Sequence, residues 1–340
     1  MKHNAKITSI IVAMFIVSML IGFVVIDSYD QFFGKTAQKI AQENNVTLEK
    51  PEISFVQGAI PPPMEFKRTI DVVNILVSIL IAIAIGVVLF FFLSKIRINL
   101  VIKGWFTVVI FICLTIALTL IFYRILGHTS LVNLFGKKFL LAEVIAVPLA
   151  VVLTYFKIKK MNILVHNFTE LLIYPGLAVI FVPLLNILAA AILLIIISIY
   201  DMIAVWQTKH MQAMAKYQIN NLKIFTGFFL PYAGKKEKVK IEHIKVQLKR
   251  IKSEKKKEQF LKNKKIKLNI AALGGGDVAF PMIFIGTILL ARGFWPAFVV
   301  MLTTALALAL LLIFAKKGKF YPAMPFLSAG CFLGLLLILI

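Results

Sequence analysis

Nine apolar stretches, each about as long as a membrane crossing, constrain this 340-residue chain more than any other feature. A hydrocarbon core admits a helix of about 20 apolar residues, because no water is available inside it to satisfy unpaired backbone groups. The spans fall at 6–26, 70–94, 102–123, 139–156, 162–181, 186–206, 268–290, 294–315 and 320–340. The first follows Lys2 and Lys6 as a signal peptide would, but its length and the polar exit Asp27-Ser28-Tyr29-Asp30 favour a retained helix. Residues 162–206 are too long for one crossing, and Pro183 to Asn186 supply the turn that divides them. Composition agrees: 60% hydrophobic residues, 16% charged residues and a mean hydropathy of +0.93 exclude a soluble globular chain. The prediction is an all-α membrane protein. Cys113 and Cys331 lie inside apolar runs and read as buried free thiols rather than a disulfide or metal pair.

Basic residues set the direction of insertion. Lys and Arg number 38 against 15 Asp and Glu, a net charge of +23 that would suggest a nucleic-acid partner in a soluble protein. With the N-terminus cytoplasmic, 29 of the 38 lie on the inner side and nine on the outer side. Arg124, Lys137 and Lys138 oppose this bias mildly, but the majority decides, and Ile340 is then outside with no soluble tail. The outer loop 27–69 contains Pro61-Pro62-Pro63 and reads as a short cap; its Asn45-Val46-Thr47 sequon is weak evidence for glycosylation. The inner loop 207–267 holds 18 bases and four acids. Its tail, Lys235 to Lys267, alternates lysine runs with Ile and Leu, a pattern that suits a helical arm on anionic lipid better than nucleic-acid binding. Before it, Ile224 to Tyr232 is apolar but too short to span, as an interfacial or gating segment would be.

Carboxyls inside hydrocarbon are costly, by ~3 kcal/mol on insertion scales, so their positions are informative. Most of the 15 acids fall in loops. Asp71 and Glu143 sit near the outer boundary, where a wetted or snorkelling group is expected, and Glu170 suits a structural hydrogen bond in the fifth helix. Asp201 lies six residues before Gln207, ~9 Å from the cytoplasmic boundary, and Asp277 lies ten residues past Lys267, ~15 Å deep if wholly helical. Two carboxyls at one level on antiparallel neighbours cannot both ionise cheaply. An aspartyl dyad needs that arrangement, with one carboxylate to take a proton from water and one carboxylic acid to protonate a carbonyl oxygen.

The flanking residues resist regular helix at the same depth. Gly274-Gly275-Gly276 directly precedes Asp277, each glycine costing about 1 kcal/mol relative to alanine in a helix interior. Pro322-Ala323-Met324-Pro325 does the same at the start of the ninth span. Unpaired backbone at membrane depth is tolerated where it lines a cavity or finds a partner, so these stretches point to water or an extended substrate beside the acids.

These residues resemble the presenilin and signal peptide peptidase family of intramembrane aspartyl proteases. Tyr200-Asp201 is similar to its YD motif, Gly274-Gly275-Gly276-Asp277 to its GxGD motif, and Pro322-Ala323-Met324 to its PAL motif. The likeness covers about 160–326, and the exit Val205-Trp206-Gln207-Thr208-Lys209-His210-Met211 resembles the prokaryotic, chiefly archaeal, branch. The first four spans match by topology alone. The resemblance implies a nine-helix presenilin-like fold: an N-terminal bundle at 1–160 and a catalytic bundle at 161–340 that carries the basic loop. It implies an aspartic endopeptidase with Asp201 and Asp277 as the catalytic pair. Tyr200, Gly274, Gly275, Gly276, Pro322, Ala323 and Met324 would shape the site, with no cofactor or metal. Met324 stands where the family has leucine, a swap of similar volume that alters packing rather than chemistry. Substrates would be transmembrane proteins or peptides at a cell membrane, and the inner loop between spans six and seven matches the presenilin orientation, which suits substrates with an outer N-terminus. A different class, a secondary transporter or channel relaying protons through Asp201, Asp277 and Glu170, predicts a pseudo-symmetric repeat, and no second Gly-Gly-Gly-Asp exists. A prepilin-type peptidase would have fewer spans and no proline-rich ninth helix.

Overall fold

The structure, a computed structural model, describes residues 5–33, 54–61, 69–95, 99–127, 131–134, 137–159, 162–207, 226–232, 269–315 and 321–340. Among them are nine helices of 14 residues or more: α1 (Ala5–Phe33), α2 (Thr69–Lys95), α3 (Asn99–Leu126), α4 (Leu141–Lys159), α5 (Ile163–Phe181), α6 (Ile187–Met202), α7 (Gly275–Arg292), α8 (Phe294–Phe314) and α9 (Met324–Leu337). Seven are long and apolar enough to cross a membrane by length and composition, while α2 and α9 offer the shorter stretches Val73–Gly86 and Met324–Leu337. A 3-10 turn, Val182–Leu184, separates α5 from α6 where Pro183 was expected to break the run. Apolar side chains such as Val88, Trp105, Leu164 and Leu306 are exposed on the periphery, a surface suited to lipid rather than water.

Helix α7 is the axis of the molecule. Almost every residue from Val278 to Leu289 is buried, and the helix packs against α1, α5, α6, α8 and α9. A helix apolar on all sides needs such a sheath. The α8–α9 seam is close because Gly330 and Gly334, one turn apart, face Thr303, Thr304 and Val300, and a Cβ at Gly330 would come within 2.7 Å of Ala307. Cys113 and Cys331 are buried free thiols.

The all-α expectation needs a correction, because two antiparallel ribbons are present. One pairs β1 (Leu131–Leu134) with β2 (Lys137–Leu140); the other pairs β3 (Gly227–Tyr232) with β4 (Asn269–Gly274), with Gly227 opposite Gly274 and Tyr232 opposite Asn269. The seventh helix therefore starts at Gly275 rather than 268. The four apolar residues Ile270 to Leu273, between Asn269 and Gly274, are too few to show a periodicity that separates strand from helix, and β3 supplies a partner that makes strand the cheaper way to satisfy the backbone.

Glu143 also departs from expectation. Its carboxylate is buried, accepting from the Ser54 hydroxyl at 2.6 Å and from the backbone N–H groups of Val56 at 2.9 Å and Phe55 at 3.2 Å. It thereby caps the helical turn Phe55–Ala59 and fastens it onto α4. The side chain of Asp71, the sequon at Asn45, most of the exit motif from Thr208 and the lysine arm 235–267 lie outside the described residues.

Candidate active site

Helix α6 ends at Met202, and its backbone widens into a single π turn at Ile203–Gln207. Asp201 sits in that last α-helical turn, buried, where the macrodipole of α6 opposes a negative charge. The start of α9 offsets this. The Met324 N–H donates to Asp201 Oδ2 at 3.1 Å, and the Ala323 N–H adds a second bond. Pro325, in the first turn of α9, sits where a helix leaves N–H groups unpaired, so its missing donor goes unneeded. One turn back, the Ser198 hydroxyl donates to the Leu194 carbonyl at 2.7 Å, so the Ser328 hydroxyl must be the donor in the 2.7 Å bond between the two serines. This second tie holds α6 and α9 in register behind Asp201.

Asp277 approaches from the opposite helix end. Gly274 is the N-cap of α7 and Asp277 its third residue, and the Asp277 carboxylate accepts the Gly274 N–H, as in one arm of a capping box. The partly buried Asp277 lies within electrostatic reach of Asp201, and α6 packs directly on α7. Gly275 sits at a close approach: a Cβ there would stand 3.2 Å from the Tyr174 ring and hydroxyl, tighter than an ordinary contact. The strand–glycine–helix junction thus delivers Asp277 to the level of Asp201.

The structure brings Gly274, Gly275, Gly276, Ala323 and Met324 to this junction, with Pro322 buried just before α9. Tyr200, by contrast, is 40% exposed and does not share the burial of Asp201. Tyr174 on α5 was not foreseen. It is buried edge-on against Phe228, with ring centroids 5.5 Å apart, and lies near Glu170 and Asp277. Its buried hydroxyl lies toward the Glu170 carboxylate without reaching full hydrogen-bond geometry. Tyr174, Gly275, Gly276, Ala279 and Phe280 line a cavity of about 340 Å³ that reaches α3 at Val109 and Cys113.

Glu170 is not part of the pair. Its carboxylate meets the Lys157 ammonium at 2.6 Å, with 3% and 1% of the two side chains exposed. Lys157 also donates to Thr169 Oγ1 at 3.1 Å and to His166 Nδ1 at 3.3 Å, so all three of its protons are placed. The structural role expected of Glu170 is thus met by a salt bridge, and a lysine 13 residues away that pattern reading had not paired with it.

A bundle of apolar helices with an acid at each of the abutting ends of α6 and α7 defines the class: a polytopic membrane protein that carries acids inside its helical bundle. The family model for signal-peptide peptidase and presenilin aspartyl proteases matches residues 64–340, and the chain belongs to that family. Two solved structures, both described as a presenilin family intramembrane aspartate protease, one in space group C222 and one in P2, share the fold. The first aligns with a TM-score of 0.57 at 19% identity over 97% of each chain, the second with 0.54 at 19% over 96% of this chain and 95% of that one. No curated protein matches.

Proposed function

We propose that Asp201 and Asp277 are the catalytic pair of an aspartic endopeptidase that cuts transmembrane helices within the bilayer. The observation that carries this reading is two acids within electrostatic reach of each other at the ends of α6 and α7, each beside neutral backbone amides and, among the described residues, with no paired lysine or arginine. One carboxylate takes a proton from water as the water oxygen attacks the scissile carbonyl carbon, and the other, protonated, gives its proton to the carbonyl oxygen. The tetrahedral diol then collapses: its proton returns to one carboxyl, the nitrogen takes the other, and the C–N bond breaks to leave an acid and an amine.

A substrate helix hides its amides in internal bonds, so several residues must unwind before water can reach a carbonyl. The freed amides need partners in a dry site, and strand β4, which runs into Asp277, offers them by strand addition. In the other helix-resisting stretch, the Met324 amide is already engaged by Asp201.

Nine crossings with a cytoplasmic N-terminus and an outer C-terminus, in a cell membrane, follow from the lysine bias. A cysteine at Ser253 is expected to label from the cytoplasmic side only and one at Gln57 from outside only; the reverse would invert the molecule. The basic loop would rest on anionic lipid. The reading itself is tested by incubating the purified protein in detergent with a transmembrane peptide and weighing the products by mass spectrometry. Cleavage within the apolar segment is expected, and an intact peptide would contradict the assignment.

A further inference from the structure

The two edges of the β3–β4 ribbon are not equivalent. The Phe229 N–H donates to Asn167 Oδ1 at 3.0 Å, and the Phe229 carbonyl accepts from Asn167 Nδ2 at 2.9 Å. The amide of Asn167 thus meets Phe229 as a neighbouring strand would. His166 Nε2 lies 2.9 Å from the Gly227 carbonyl. The tautomer follows from the Lys157 contact: an ammonium only donates, so Nδ1 accepts, Nε2 carries the proton, and it donates to Gly227.

In extended backbone the N–H and C=O of one residue point to the same side, and successive residues alternate. Gly227, Phe229 and Pro231 therefore face away from β4, and Pro231 has no N–H to offer. The outer edge of β3 is closed along its length by His166, Asn167 and a proline. The residues of β4 opposite these three are Gly274, Ala272 and Ile270, which must face outward on the other side. The Gly274 N–H is taken by Asp277. Ala272 is exposed, and its outward backbone groups find no partner among the described residues.

We propose that His166 and Asn167, anchored by the buried Lys157–Glu170 pair, are positioning residues: they reserve the outer edge of β3 so that an unwound substrate pairs with β4 alone, in one register relative to Asp277. Exposed strand edges accept any chain that reaches them, and natural proteins block those that would pair wrongly. Pairing on β3 would set a substrate one strand spacing further from Asp277, with ~4.8 Å between neighbouring strands. The inference rests on the peptidase reading and on strand addition, and assigns which edge is used and what enforces it.

The probe is a lysine-flanked polyleucine peptide with a Gly-Gly pair near one end of its apolar segment, carrying a single cysteine and presented to the full-length protein in detergent. In a protein otherwise wild type, Ala272→Cys is expected to form a disulfide with the peptide, and Phe229→Cys is not. Asn167→Leu, which keeps the side-chain size but offers no amide, is expected to retain cleavage while raising a second cut site about tenfold, the equivalent of ~1.4 kcal/mol. Asn167→Asp, which accepts from Phe229 but cannot donate, is expected to fall between, and stands in if the leucine variant does not fold. No capture at Ala272→Cys would overturn strand addition itself. Capture with an unchanged single cut site in both Asn167 variants would overturn the edge cap alone.

Discussion

Two places in the interior of this protein hold acids and differ in what neutralises them. Between α4 and α5, Glu170 faces a lysine whose three protons are all placed, and both partners are almost fully buried. Between α6 and α7, Asp201 and Asp277 lie within electrostatic reach of each other, and among the described residues no lysine or arginine pairs with either. Neutral amides from α9 and from the start of α7 hold them instead. A full counter-charge locks a carboxyl in its ionised form, which suits a fastening. Neutral donors stabilise a carboxylate without fixing it, so a proton can move between two of them, which suits acid–base chemistry.

The sharpest way to break this contrast is to neutralise each acid in turn. Asp201→Asn or Asp277→Asn is expected to lower peptide cleavage by at least ~10²–10⁴-fold, with thermal unfolding little changed. Near-wild-type turnover in either variant would remove the distinction. Glu170→Gln should do the reverse, retaining cleavage per folded molecule while destabilising the protein by about 3–5 kcal/mol in a denaturation series, because it leaves Lys157 buried without its partner. Combining Lys157→Met with Glu170→Leu should recover much of that loss. Equal loss of turnover in Glu170→Gln and the aspartate variants would instead bring Glu170 into the site. Gly275→Val forces a branched side chain toward Tyr174 and should slow cleavage about tenfold, within the ~1–3 kcal/mol of overpacking, leaving the helical content seen by circular dichroism unchanged. The smallest effect is expected of Ser198→Ala, which strands the Ser328 hydroxyl and should lower stability by ~1 kcal/mol with a modest change in rate.

Apolar runs and misplaced acids were legible from residue order because both are local: a charged group in hydrocarbon is conspicuous wherever the chain folds. Asp201, Asp277 and the two helix-resisting stretches could be assigned to one level for that reason. The strand at Asn269–Gly274 was read as helix because a short, mostly apolar segment fits both, and what decides is a partner 37 to 47 residues earlier. Glu143 failed in the same way. Its three donors lie 87 to 89 residues away, and depth alone could not tell a wetted carboxylate from a capped one. The Gly330–Gly334 pair is legible in residue order, as a small-residue spacing inside an apolar helix, because it too is a local feature.

The claim that Asp201 and Asp277 share one proton is tested most directly by the pH dependence of cleavage in the wild-type protein, with folding monitored across the same range. Activity is expected only where one carboxyl is ionised and the other protonated, so the rate should rise and then fall as pH increases, vanishing at low pH with both protonated and at high pH with both ionised. A rate that stays flat from strongly acidic to alkaline pH, or that only rises or only falls while the protein remains folded, would contradict a shared proton.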